Sequence, residues 1–210
     1  MPRLGTQKTG ARPALRILPH AIMADTLTMT EDALIQKMRE RVADHRRTTS
    51  AANWPGNYAD IAESFGPAPL DLVEDAQRRF GFPIPSFLVR LWSEVANGGI
   101  GPGYGIFGVE GGMTDDMLDL PLPDLYLAWK DQEEWIELTG RGAAERTIPI
   151  CDWGCNTFSA IDCSTPDGNM LLFSEGVTRI DHGVSFARWI EDWLAGIEVG
   201  SDGYGRVNSR

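Results

Sequence analysis

Residues 73–105 read VEDAQRRFGFPIPSFLVRLWSEVANGGIGPGYG, and their punctuation decides the architecture. A helix begins around Pro69, just upstream, and its apolar positions Leu72, Val73, Ala76 and Phe80 return at the interval of one helical face. Asp71, Glu74, Asp75, Gln77 and Arg78 fall on the outer face, and Gly81 supplies the left-handed residue that commonly closes a helix. Pro83 and Pro85 mark a turn. With Pro85 in its first turn, a further helix carries Phe87, Leu88, Leu91, Trp92 and Val95 inward until Asn97-Gly98-Gly99 stops it. Two short helices linked this tightly form a pair with a shared apolar side.

Working outward, Thr28-Met29-Thr30-Glu31 has the form of a capping box in which Glu31 reaches back to the cap, and Leu34, Ile35, Met38 and Val42 follow at helical spacing. This predicts a helix to about His45, then a polar linker from Arg46 to Gly56. Downstream, Tyr104, Ile106, Phe107 and Val109 suit a short strand interrupted by glycines. Asp124 can cap a helix carrying Leu125, Leu127, Ala128, Trp129, Trp135, Ile136 and Leu138, closed by Gly140. Residues 147–153, 157–163 and 169–174 are β-rich, and the links between them are too short for helical crossovers, so an antiparallel meander is expected. A last helix from Ser185 buries Phe186, Trp189, Ile190, Trp193 and Leu194 and turns Glu191 and Asp192 to water. The expected fold class is α+β, an antiparallel meander with helices packed on one face and a C-terminal helix. The expected organisation is a basic leader over 1–27, an N-terminal helix and linker over 28–56, the main domain over 57–199 and a flexible tail over 200–210.

The stretch from Met1 to Ala24 holds Arg3, Lys8, Arg12 and Arg16 and no acid, which raises the question of a signal peptide. Arg16, Pro19 and His20 break its apolar stretch, so a disordered leader, or a start placed upstream of the true Met23 or Met29, is the preferred reading. No run reaches the roughly 18 apolar residues of a membrane span. The net charge of -11 argues against nucleic acid as a partner, since affinity for phosphates comes from Lys and Arg, and it favours a cationic protein. Seven tryptophans, mostly in periodic apolar segments, are read as core. Cys151, Cys155 and Cys163 are odd in number and closely spaced, which fits buried, unpaired thiols in a cytoplasmic protein.

The segment 73–105 resembles the N-terminal signature of SMI1/KNR4 (SUKH) domains, in which a helix, a Gly-hydrophobic-Pro-hydrophobic-Pro turn, a helix ending in Asn-Gly-Gly and a Gly-Pro-Gly-Tyr-Gly entry to the sheet occur in this order. Ile148-Pro-Ile-Cys-Asp-Trp-Gly-Cys155, Ile161-Asp-Cys-Ser164 and the Phe186 to Leu194 helix extend the likeness to roughly Ala68 to Gly196. The resemblance implies a binding scaffold without catalysis. Bacterial members are largely immunity proteins that block a cognate toxin, often a nuclease, and fungal members regulate cell-wall synthesis through protein contacts.

Motifs that would carry other chemistry read better as structure. Gly103-x-Gly105-x-x-Gly108 matches a dinucleotide fingerprint in spelling only, because it follows a helix and enters a strand, so its glycines are expected to serve positive φ and close packing. The cysteines lack zinc-pair spacing and a basic partner for thiolate chemistry, and Asp162 to Gly168 lacks the twelfth-position Glu of a calcium loop. No cofactor and no metal is expected. The acids from Glu110 to Glu137 face a single base, Lys130. They either solvate a loop and a helix face or form a docking surface for a basic partner. Glu110, Asp115, Asp116 and Asp119 are the candidate charges, with Tyr104, Tyr126 and Trp153 as candidate aromatic anchors. For Trp153, a core ring at a strand end is the preferred alternative. Three functions follow: a toxin-neutralising immunity protein, a regulatory scaffold recruiting cellular partners, and, last, a small hydrolase using the acidic segment.

Overall fold

The computed structural model describes residues 27–48, 65–174 and 178–200. In chain order these form α1 (Glu31–Thr48), α2 (Leu70–Phe80), α3 (Ser86–Glu94), α4 (Leu122–Trp129), α5 (Glu133–Thr139), α6 (Arg141–Ala144), β1 (Thr147–Gly154), β2 (Thr157–Asp162), β3 (Asn169–Ser174), β4 (Thr178–Ser185) and α7 (Phe186–Leu194). The sheet is an antiparallel meander in the order β1-β2-β3-β4. The fold is α+β, as expected, with a helix following the last strand. Residues 1–26 of the predicted leader, the tail beyond Gly200, most of the predicted linker and residues 57–64 of the predicted main domain lie outside the described residues, although Arg46 to Thr48 belong to α1.

The α2–α3 pair forms as its sequence dictates. Val73, Ala76 and Phe80 are buried on α2, Gly81 closes it at φ 77°, and Phe87, Leu88, Leu91 and Trp92 fill the core from α3. The Trp92 indole N–H is satisfied in the interior by the Phe107 carbonyl at 2.9 Å. Leu34, Ile35 and Met38 of α1 join the same core, so this helix is an integral layer and not an appendage. Arg90 ties α3 to α1, bonding Glu94 at 2.7 Å and Asp32 at 2.8 Å, while Arg79 pairs with Asp124 to hold α2 against α4.

Period-two alternation sorts the sheet into two faces. Ile148, Ile161 and Met170 stand in register toward α1, α2, α3 and α7. Phe158, Ala160, Leu171 and Phe173 point the other way and are covered by Trp135 and Ala144 from the short α5–α6 hairpin. Cys155 and Asn156 join β1 to β2 with φ of 52° and 56°, the pair of positive values that a type I′ hairpin turn requires. Phe186, Trp189 and Ile190 of α7 are fully or nearly fully buried, each worth about 1.5–3 kcal/mol relative to exposure. Ser185 caps this helix by accepting from the Arg188 N–H at 3.3 Å.

Several expectations are corrected. The α1 cap is Thr30, whose hydroxyl accepts from the Ala33 N–H at 3.3 Å, because Thr28 is drawn away to Glu191 and Glu31 faces Arg90. The helix expected from Asp124 to Gly140 breaks at residues 130–132, which folds Trp135 back beside Trp129 and leaves Leu127 exposed. The strand expected from Tyr104 to Val109 is reduced to one bridge, Ile106 to Cys151, since Gly103 and Gly105 hold φ of 59° and 101° and bend the chain out of register. The fourth strand, β4, is additional to the expected runs. Cys155 is exposed because it sits at the hairpin tip, whereas Cys151 and Cys163 are buried, and all three are free. Glu191 and Asp192 do not face water: both are buried, Glu191 against Thr28 and Met29, Asp192 against Arg188.

Candidate functional site

The acidic loop between the Gly-rich segment and α4 is rooted on one side chain. Asn97, buried just past α3, accepts from the Val109 N–H through Oδ1 at 2.8 Å and donates through Nδ2 to the Glu110 carbonyl at 3.1 Å. Its backbone carbonyl accepts from the Met113 N–H at 3.0 Å. Glycine is obligatory around it, since a Cβ on Gly108 or on Gly112 would lie 2.3 Å from the Asn97 carbonyl oxygen. Asn97 thus does more than end a helix. It performs for residues 108–113 the pairing that a neighbouring strand would otherwise supply.

The loop tip is organised by Asp115, whose carboxylate accepts from the N–H groups of Leu118 and Leu120 at 3.2 and 3.1 Å and is itself buried. Thr114 donates to Asp119 at 2.7 Å, and Asp119 adopts φ 55°. Glu110, Asp116 and Asp119 remain exposed, and Met117 and Leu118 project between them at 78% and 50% exposure. Of the four predicted acids, three therefore present charge to solvent and one is structural. Met117 and Leu118 were not singled out in sequence, and an apolar pair flanked by Asp116 and Asp119 was the available signal.

Tyr104 and Trp153 come together by a separate route. The Tyr104 N–H donates to the Asp152 carbonyl at 2.8 Å, and the Tyr104 hydroxyl lies over Gly154, where a Cβ would come within 2.5 Å of it. Trp153 is half-buried, donates to Ser159 Oγ at 2.9 Å and is covered by Gly200, whose Cβ would stand 2.3 Å from the ring. Trp153 accordingly packs as a strand-end ring against the main core. Tyr126 is removed from any surface role. It is buried against Phe80 and Phe82, and its hydroxyl donates to the Glu145 carbonyl at 2.8 Å. Burial, reinforced by Asp131 and Glu145, pushes that hydroxyl up to about 12.

The buried titratable groups behave as packing elements. Burial pushes the Cys151 thiol up to about 12 and Cys163 further still, opposite to the direction that makes a nucleophilic thiolate. Burial also lowers His182 to about 4, with Asp181 opposing. Two cavities among the described residues bear on the site. One of about 330 Å³ is lined by Leu27, Glu31, Ser86, Phe87, Asp167 and Ser185, and one of about 190 Å³ by Trp129, Gln132, Glu134, Trp135, Leu138 and Phe158. The predicted acids of the loop line neither. No group of three or more His, Cys, Asp or Glu side chains among the described residues is arranged to hold a metal ion. No helix among them is long and apolar enough to cross a membrane. Comparisons with family models, with curated proteins and with solved structures found no match.

Proposed function

We propose that this chain is a non-catalytic protein-binding domain of the immunity type, which docks on a basic toxin domain and occludes it. The observation that carries the reading is the exposed tip of Glu110, Asp116, Met117, Leu118 and Asp119 on a loop held from within by Asn97 and Asp115. A loop that is ordered before binding loses little conformational freedom on association, so contact energy is retained as affinity. Its carboxylates attract a cationic surface and accelerate encounter, and its apolar pair supplies area for desolvation. A nuclease is the toxin class that such charge fits best, because a nuclease must carry cationic surface for its own substrate. The likeness of residues 73–105 to SMI1/KNR4 domains supports the same role, and the free thiols support a cytoplasmic setting.

The test is affinity capture with the full chain from native lysate at low and moderate salt, followed by co-expression of whatever is retained. A single stoichiometric basic protein, toxic alone and silenced by this chain, is the expected result. Several unrelated partners with no protection overturn the immunity reading and favour a regulatory scaffold.

A further inference from the structure

On the sheet face away from the main core, three aromatic rings converge beneath the α4–α5 junction. Trp129 meets Phe158 at 5.4 Å and 72°, and meets Trp135 at 5.4 Å and 58°. Phe158 in turn stacks on Phe173 at 5.1 Å and 18°, which fixes the cluster to β2 and β3. Interlocked rings of this kind have few alternative arrangements, so the surface they present is preformed. They open into the cavity of about 190 Å³, whose remaining walls are Leu138, Gln132 and Glu134. Trp135 is only 3% exposed, and its indole N–H has no acceptor among the described residues.

Charge selects the occupant. Glu134 lines the cavity, and Asp131, Glu133 and Glu137 on the same segment are exposed, while the ammonium of Lys130 is engaged with Asp131 at 2.8 Å. The cavity wall is mainly apolar while the exposed Glu134 and its acidic neighbours set negative charge at its rim, so a side chain with an apolar stem and a cationic head matches both. A phosphate would meet like charge. A volume of about 190 Å³ falls below the roughly 300–1,000 Å³ of small-molecule sites, and suits one side chain of a larger partner. Arginine meets every requirement. Its stem and planar guanidinium lie on aromatic faces, and its fork of donors matches a carboxylate.

We infer that this aromatic cavity receives an arginine side chain of a basic protein partner and forms an anchor of the interface. The inference rests on the proposed function for the identity of the partner, but not for the chemistry of the site. Two experiments therefore separate them. First, the full chain is titrated with acetyl-Gly-Arg-Gly-amide and with its Lys and Leu counterparts, following the indole N–H resonances, with Trp129→Phe and Trp135→Phe used for assignment. The Trp129 and Trp135 signals are expected to move with the Arg peptide and not with the Leu peptide. Glu134→Gln is expected to weaken the response about threefold, the size of a partly exposed ion pair. Leu138→Arg places a cation in the cavity from within and is expected to abolish it. Equal movement with the Leu peptide, or none with the Arg peptide, overturns the inference. Second, the captured partner is tested against both variants, with folding checked by circular dichroism. Leu138→Arg is expected to weaken that complex roughly thirtyfold, as loss of an interface hot spot does. Unchanged affinity there overturns the anchor while leaving the immunity reading intact, whereas an Arg-peptide response without any neutralised toxin does the reverse.

Discussion

Replacing Glu191 by Ala should destabilise the fold by about 3 kcal/mol. The carboxylate is 5% exposed and accepts from the Thr28 N–H at 3.1 Å, the Thr28 hydroxyl at 2.5 Å and the Met29 N–H at 3.0 Å. Arg188 stands 3.5 Å away. Removing one member of a buried charged pair typically costs about 3–5 kcal/mol, and the lower end applies because water can reach Thr28 once the acceptor is gone. Arg188 also keeps Asp192 at 2.7 Å, which spares part of the loss. For a chain of this size that corresponds to roughly 6–12 °C in Tm. Glu191→Gln, which keeps shape and one acceptor, should fall between. The sign of the pH effect follows from the same contacts. Burial works against the charge, yet the Thr28 bonds, Arg188 and the Met29 N–H hold Glu191 below its ordinary value of 4.5. Its contribution is therefore fully present above pH 4.5 and is lost as pH falls through the lower folded value, so Glu191→Gln should flatten the acid limb of the stability profile. Urea denaturation of wild type and variants between pH 3 and pH 7 reads both effects. A Glu191→Ala variant within about 0.5 kcal/mol of wild type would refute the view that α1 is fastened to α7 through this carboxylate.

Acidification should weaken the fold through His182 as well. Because burial lowers it from 6.5 to about 4, the unfolded chain binds the extra proton first, and stability is lost between those values; denaturation midpoints for His182→Phe should vary less over that window. A thiol reagent should modify Cys155 at once and reach Cys151 and Cys163 only on unfolding, which mass spectrometry of the native and denatured chain will show. Asn97→Ala should cost about 1–3 kcal/mol and speed amide exchange at Val109, with unchanged exchange there counting against the role assigned to this side chain. Gly112→Ala should destabilise by about 2 kcal/mol or more, measured by the same denaturation, because its Cβ has nowhere to go but into Asn97.

How much of this was legible depended on the range of the interaction. The α2–α3 pair could be read because Val73, Ala76 and Phe80 repeat locally and Gly81 needs only its own φ. The meander could be read because the links between β1, β2 and β3 are short. In β4 the alternation of Ile180, His182 and Val184 was present but diluted by Asp181 and Gly183. The break after Trp129 is not legible because Trp129 and Trp135 satisfy a continuous apolar stripe nearly as well as two facing rings. The burial of Glu191 is not legible because its partners lie 162 and 163 residues away, beyond any periodic signal. In the candidate site the same limit separates Asp115 from Asp116. They are adjacent and chemically alike, and only the fold turns one inward to hold Leu118 and Leu120.

The way Asn97 secures the acidic loop divides labour between neighbouring stretches of chain. The bonds that fix residues 108–113 run through one side chain and through main-chain atoms, with glycine required where the backbones touch. The projecting residues Asp116, Met117 and Leu118 contribute little to that anchorage, and Met117 least of all. Recognition can therefore be rewritten at the tip, residue by residue, while the scaffold beneath keeps its shape. A library randomised at 116–118 with Asn97, Gly108, Gly112 and Asp115 held constant would be a source of new binding specificities on an unaltered framework.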